Sequence, residues 1–180
     1  MKTYSTSPKQ LHIASWNVRS LTDDKPKHLA ISAGAMGLDI VCLQETRRPE
    51  TRGEIIGNKY ALWCTPDDGT SNHGCGFLVH RDTEVEDFII HKVINSQSRA
   101  AQIIVKTRKG RKSLYSLYAP HIGHGEDMVR QFWEEAADLP HMNTSVVGTD
   151  ANGHVHPDDW LIPPTHFVSQ LAIPPTFSVS

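Results

Sequence analysis

The sequence predicts an α/β sandwich: two sheets facing each other, with helices on the outside. Three observations predict it. Many short strand-like runs are interrupted by only two clear helical patterns. Some runs are continuously apolar, as in "LDIVCLQET" and "NTSVVGTD", and so suit strands covered on both faces. Others alternate, as in "LHIASWNV", and suit strands with one polar neighbour. Two sheets with covering helices satisfy all three patterns.

In chain order, residues 1–10 are a polar leader, and 11–180 read as one domain. "LHIASWNV" is a strand. "DDKPKHLAISAGAM" follows as a helix, with Asp23 or Asp24 as N-cap and Pro26 near its start. "LDIVCLQET" is a buried strand ending in polar residues. "KYALWCT" and "GCGFLVHR" are strands joined by the turn-rich loop "PDDGTSNH". "EVEDFIIHKVI", "AAQIIVKTR" and "SLYSLYAP" continue the series, the last two joined through "RKGRK" as a hairpin. "EDMVRQFWEEAADL" places Val129, Phe132, Trp133, Ala136 and Ala137 at helical spacing behind first-turn acids. "NTSVVGTD" is another buried strand. From Ala151 the chain is rich in His and Pro and reads as loop, with at most a short helix around "THFVSQLA".

Composition narrows the function classes. With 180 residues and a formal net charge of −2, the chain has no global basic footprint for nucleic acid, although a local patch such as "KTRKGRK" can exist. The three cysteines, Cys42, Cys64 and Cys75, follow neither a disulfide nor a zinc spacing. No disulfide-linked partner is expected. The N-terminus has no apolar targeting core and no run is long enough to span a bilayer. An intracellular protein, nuclear or cytoplasmic and without a membrane partner, is therefore expected.

Four strand ends could carry chemistry. "SWNV" ends on Asn17, "CLQET" on Gln44 and Glu45, "SLYSLYAPH" on Tyr118 and His121, and "VVGTD" on Asp150 followed by Asn152. Polar groups at strand ends are where α/β sheets place their sites. A Glu and an Asp sharing one rim can bind a hard cation, and magnesium accepts one or two carboxylates completed by water and substrate phosphate. A Tyr hydroxyl and an imidazole can donate to a phosphate oxygen. Taken singly, Asn17 and Asn152 read better as turn caps, the acids as solvated loop ends, and Tyr115 as packing. His154, His156 and His166 have no spacing that makes them ligands, and zinc is not expected.

Together, "SWNVRSL", "CLQET", "GCGFLVHR", "LYAPH" and "VGTDANGH" occur in the order and rough spacing of the endonuclease/exonuclease/phosphatase superfamily. The chain most resembles the apurinic-type endonuclease domain of non-LTR retrotransposons and their craniofacial-development-protein-like relatives, from about Leu11 to Phe177. The resemblance implies a four-layer α/β sandwich and cleavage of phosphodiester bonds with Mg²⁺, Mn²⁺ being a substitute, and DNA as the partner. It implies that Glu45 and Asn17 serve the metal, that Asp150 orients or deprotonates water, that Asn152 holds the nucleophile or a phosphate oxygen, and that Tyr118 contacts phosphate. His121 stands where many relatives carry Asn or Thr. Arg99 resembles a recurrent Arg of the retrotransposon-like branch and is expected at the scissile phosphate, although it reads equally as a surface residue at a strand start. Arg47 and Arg48 are local cations able to contact backbone phosphates. Relatives continue beyond the "PTF" of Pro174–Ser180 to an Asp strand and a Ser-Asp-His motif, so the last strands and the terminal His are expected to be missing. Two other readings stay open: a non-catalytic remnant that binds nucleic acid or a partner, and a phosphatase acting on a phosphoinositide or small phosphate ester.

Overall fold

The computed structural model describes residues 10–67, 73–94, 97–140, 145–150 and 167–168. Two five-stranded mixed sheets face each other. The first has the order β1 (Ile13–Asn17), β2 (Ile40–Gln44), β5 (Cys75–His80), β4 (Tyr60–Cys64), β3 (Thr51–Ile56). The second has the order β10 (Phe167–Val168), β9 (Val146–Asp150), β8 (Gly110–Tyr118), β7 (Gln97–Thr107), β6 (Glu84–Val93). Helix α1 (Lys25–Ala35) connects the parallel pair β1 and β2, and α2 (Glu126–Ala137) connects the parallel pair β8 and β9.

Period-two alternation sorts the side chains into three packed layers between four layers of structure. Val41 and Leu43 of β2 meet Leu29, Ala30 and Ala33 of α1 on the outer face of the first sheet. Their neighbours Ile40 and Cys42 turn inward, where Phe77 and Val79 meet Ala101, Ile103, Val105 and Leu114 of the second sheet. Ala100, Tyr115, Leu117 and Val147 face Phe132 and Ala136 of α2 on the far side. Burying the Val, Leu, Ile and Phe side chains among these stabilises the sandwich by about 1.5–3 kcal/mol each. The expected four-layer architecture is the one observed.

The helix boundaries follow local chemistry. Pro26 stands in the first turn of α1, and the helix closes with Leu38 N–H donating to the Ala33 carbonyl around Gly37, whose φ is +65°. A glycine suits that left-handed position because it has no Cβ to clash. Acidic Glu126 and Asp127 occupy the first turn of α2, where they oppose the positive end of the helix dipole.

Two elements differ from the sequence reading. Thr51–Ile56 forms β3, an edge strand with mostly exposed or half-buried side chains, so its sequence lacks the apolar signal of a covered strand. Within "THFVSQLA", Phe167–Val168 pairs in parallel with Val147–Gly148 of β9 instead of forming a helix. Pairing against an open sheet edge outweighs local helical propensity there. Among the described residues, no helix is long and apolar enough to cross a membrane. The three cysteines are free and buried.

Candidate active site

The parallel pairs decide where the polar strand ends go. Asn17 pairs in register with Gln44, and Tyr118 with Asp150, so β1, β2, β8 and β9 all end at one rim of the sandwich. Alternation points Asn17, Tyr118 and Asp150 toward the facing sheet, because they share parity with inward-facing Ile13, Leu114 and Val146. Glu45 has the opposite parity and would follow Leu43 toward α1. Its backbone leaves the strand with a φ of +55°, which breaks the alternation at the rim. A non-glycine residue in that region carries local strain, held here by the surrounding contacts.

The resulting constellation is closely bonded. Asn17 Nδ2 donates to Glu45 Oε1 at 2.6 Å and to Asp150 Oδ2 at 2.5 Å. Tyr118 Oη donates to Glu45 Oε1 at 3.2 Å. Arg47 Nη2 pairs with the other carboxylate oxygen, Glu45 Oε2, at 2.8 Å. The Glu45 side chain is 12% exposed and that of Arg47 34%, while Asp150 is 8% exposed. Two carboxylates thus meet one amide in a shallow, half-dry rim.

A buried polar seam supports this rim from below. Gln44 Nε2 donates to Ser15 Oγ and Ser116 Oγ at 3.1 Å each, and Ser116 Oγ donates to the Leu43 carbonyl at 2.7 Å. The bonds tie the two sheets together one residue beneath the site, where unpaired polar groups would be costly. Gly148 lets the sheets approach there: a Cβ at that position would lie 2.4 Å from Cys42 Cβ.

Asn17, Glu45, Tyr118 and Asp150 are therefore brought together, and Arg47 joins them through Glu45. Arg99 is 1% exposed, so it is buried and not a surface residue at a strand start. Its position in β7, a strand flanked on both sides within the second sheet, buries it. There it donates to His73 Nε2 at 2.6 Å, to Gln97 Oε1 at 2.5 Å and to the Tyr118 carbonyl at 3.2 Å, and its guanidinium lies 5.3 Å from the Tyr118 ring centroid. His121 is exposed in the loop after β8, where its Nδ1 accepts the Gly123 N–H at 3.0 Å, a local bond. The basic turn of "KTRKGRK" lies at the start of β8, the opposite end from Tyr118, and nine residues of strand put it about 30 Å from the rim. Asn152, His154, His156 and His166 lie outside the described residues. His73 is the site-adjacent residue that sequence reasoning missed; a single His in a loop carries no periodic signal, and "HGCG" before a strand was its sole mark.

Among the described residues, no cluster of three or more His, Cys, Asp or Glu side chains forms a closed metal cage. The donor set still fits a hard divalent cation of the magnesium type, since Glu45 and Asp150 are adjacent carboxylates on one amide at a partly open rim.

No protein-family model matches the sequence, and no curated protein does. Solved structures do match its fold. The catalytic domain of Xenopus laevis APE2 aligns with a TM-score of 0.55 at 15% identity, over 84% of this chain and 61% of that one. D. rerio TDP2, solved with a single-strand DNA product, aligns with a TM-score of 0.54 at 17% identity, over 81% and 62%. An endonuclease/exonuclease/phosphatase from Beutenbergia cavernae aligns with a TM-score of 0.56 at 15% identity, over 79% and 47%. The chain thus spans about three fifths or less of these three structures. Its two facing mixed sheets with outer helices are the endonuclease/exonuclease/phosphatase fold.

Proposed function

We propose that the chain is a metal-dependent phosphodiesterase, most specifically a DNA endonuclease of the retrotransposon type. The observation that carries this reading is the Asn17 amide holding Glu45 and Asp150 together at the rim, with Tyr118 Oη on Glu45. The fold shared with an endonuclease/exonuclease/phosphatase, and with TDP2 solved with a single-strand DNA product, supports it.

Phosphodiester hydrolysis forms a bond from a water oxygen to phosphorus, breaks a bridging P–O bond, and needs somewhere for the water proton to go. Asp150, held in place by Asn17, is the base suited to receive that proton. Glu45, with Asn17, would hold a divalent cation, which when bound neutralises charge developing on the phosphate. Tyr118 is a donor set beside Glu45, able to hydrogen-bond a non-bridging oxygen. Arg47 supplies a half-exposed positive charge at the same rim, suited to a backbone phosphate.

Supercoiled plasmid incubated with purified protein and Mg²⁺ tests the reading, beside EDTA, Glu45→Gln and Asp150→Asn. Conversion to open circles is expected, abolished by EDTA and reduced at least about 100-fold by either substitution. Folded protein that leaves the plasmid intact would overturn the endonuclease reading. Hydrolysis of a soluble phosphate ester by the same protein would move the substrate to that class.

A further inference from the structure

We propose that His73 is a positioning residue, the joint that sets Tyr118 against Glu45. Its backbone holds one arm of the site. The His73 carbonyl accepts the Arg47 N–H at 3.1 Å, and the adjacent Gly74 carbonyl accepts the Thr46 N–H at 3.1 Å. These bonds secure the segment in which Glu45 and Arg47 both have positive φ, +55° and +48°. Gly74 itself is required for the approach, because its φ is +103° and a Cβ there would lie 2.5 Å from Thr46 Oγ1.

The His73 ring holds the other arm. Its Nε2 accepts from Arg99 Nη2 at 2.6 Å, and its centroid lies 5.6 Å from that of Tyr118. Arg99 in turn covers the Tyr118 ring and donates to the Tyr118 carbonyl. An imidazole nitrogen that accepts from guanidinium carries no proton, so His73 is neutral in this arrangement. One residue therefore links the end of β2 to β7 and β8. The Tyr118–Glu45 bond of 3.2 Å is the distance this linkage sets. A lysine at position 99 could not replace the arginine, since one ammonium cannot stack and span three acceptors in a plane.

The catalytic part of this inference rests on the proposed hydrolytic reading; the positioning part is measurable without cleavage. In the full chain labelled with ¹³C-tyrosine, the Tyr118 Cζ resonance is assigned by its loss in Tyr118→Phe. Its shift on Glu45→Gln then reports the Tyr118–Glu45 bond. That shift should persist in His73→Gln, which keeps an acceptor for Arg99, and largely vanish in His73→Phe, which keeps a ring without one. His73→Ala repeats the acceptor-free case with a smaller side chain. A full shift in either acceptor-free variant, or an equal loss in His73→Gln, overturns the proposal. In the plasmid assay, the acceptor-free variants should lower kcat about 10- to 100-fold, with KM little changed and His73→Gln close to the parent. If the parent does not nick DNA while the resonance pattern holds, the nuclease reading fails and the role of His73 stands.

Discussion

Asn17 and Asp150, 133 residues apart in the chain, are joined by a hydrogen bond of 2.5 Å from the Asn17 amide to Asp150 Oδ2. The same nitrogen reaches Glu45 Oε1 at 2.6 Å, so both N–H groups of one amide are spent on two carboxylates. Without that amide the acids would face each other with like charge in a poorly solvated rim. Asn17→Ala should lower plasmid nicking about 100-fold, the scale of losing one preorganised donor. Calorimetric titration with Mn²⁺ should show weaker binding, whereas a thermal midpoint far below the parent's would mean that Asn17 mainly supports the fold.

Arg47 occupies the second oxygen of the same carboxylate. A guanidinium there competes with a divalent cation for Glu45. Arg47→Ala should bind Mn²⁺ more tightly in calorimetric titration, yet hold DNA less firmly. If Arg47 contacts one backbone phosphate, the log–log salt slope of DNA binding should fall by about one. Unchanged cation affinity would separate Arg47 from the metal.

Gly148 lets the two sheets approach closely. A Cβ there would lie 2.4 Å from Cys42 Cβ and 2.7 Å from Cys42 Sγ, both in the opposite sheet. Gly148→Ala should therefore destabilise the protein by about 1–3 kcal/mol, the usual cost of overpacking a filled core. A lower urea midpoint at unchanged m-value would show it.

The thiols supply a pH test. Burial pushes the Cys42 and Cys64 thiols up to about 12, from an ordinary value of 9.0, and Cys75 is raised by the same cause. In the unfolded chain these groups ionise near pH 9, so thiolate formation favours unfolding above that pH. Their contribution to stability is complete below pH 9 and is lost as pH rises toward 12. The urea midpoint should fall between pH 8 and pH 10, and all three thiols should resist a disulfide reagent at pH 8 until the protein is unfolded. Rapid reaction of the native protein would place a thiol at the surface.

The strand ends bearing Asn17, Glu45, Tyr118 and Asp150 were visible in the sequence because an apolar run closing on a polar residue is a local pattern. The same holds for α2, whose periodicity and first-turn acids are read within 14 residues. β3 was invisible because an edge strand open to solvent keeps polar side chains on both faces. The burial of Arg99 could not be read from the sequence, since it depends on β8, on Tyr118 and on a histidine 26 residues upstream.

By itself, then, the sequence determined the two-sheet sandwich and which strand ends are polar, through hydrophobic period and turn chemistry. The tertiary structure alone decided that parallel pairing brings four of those ends to one rim, and that a positive φ at Glu45 turns its carboxylate onto Asn17. It also decided that Arg99 and His73 brace Tyr118 from within. Those outcomes are set by contacts between segments far apart in the chain, where packing of one sheet on another decides what each side chain meets.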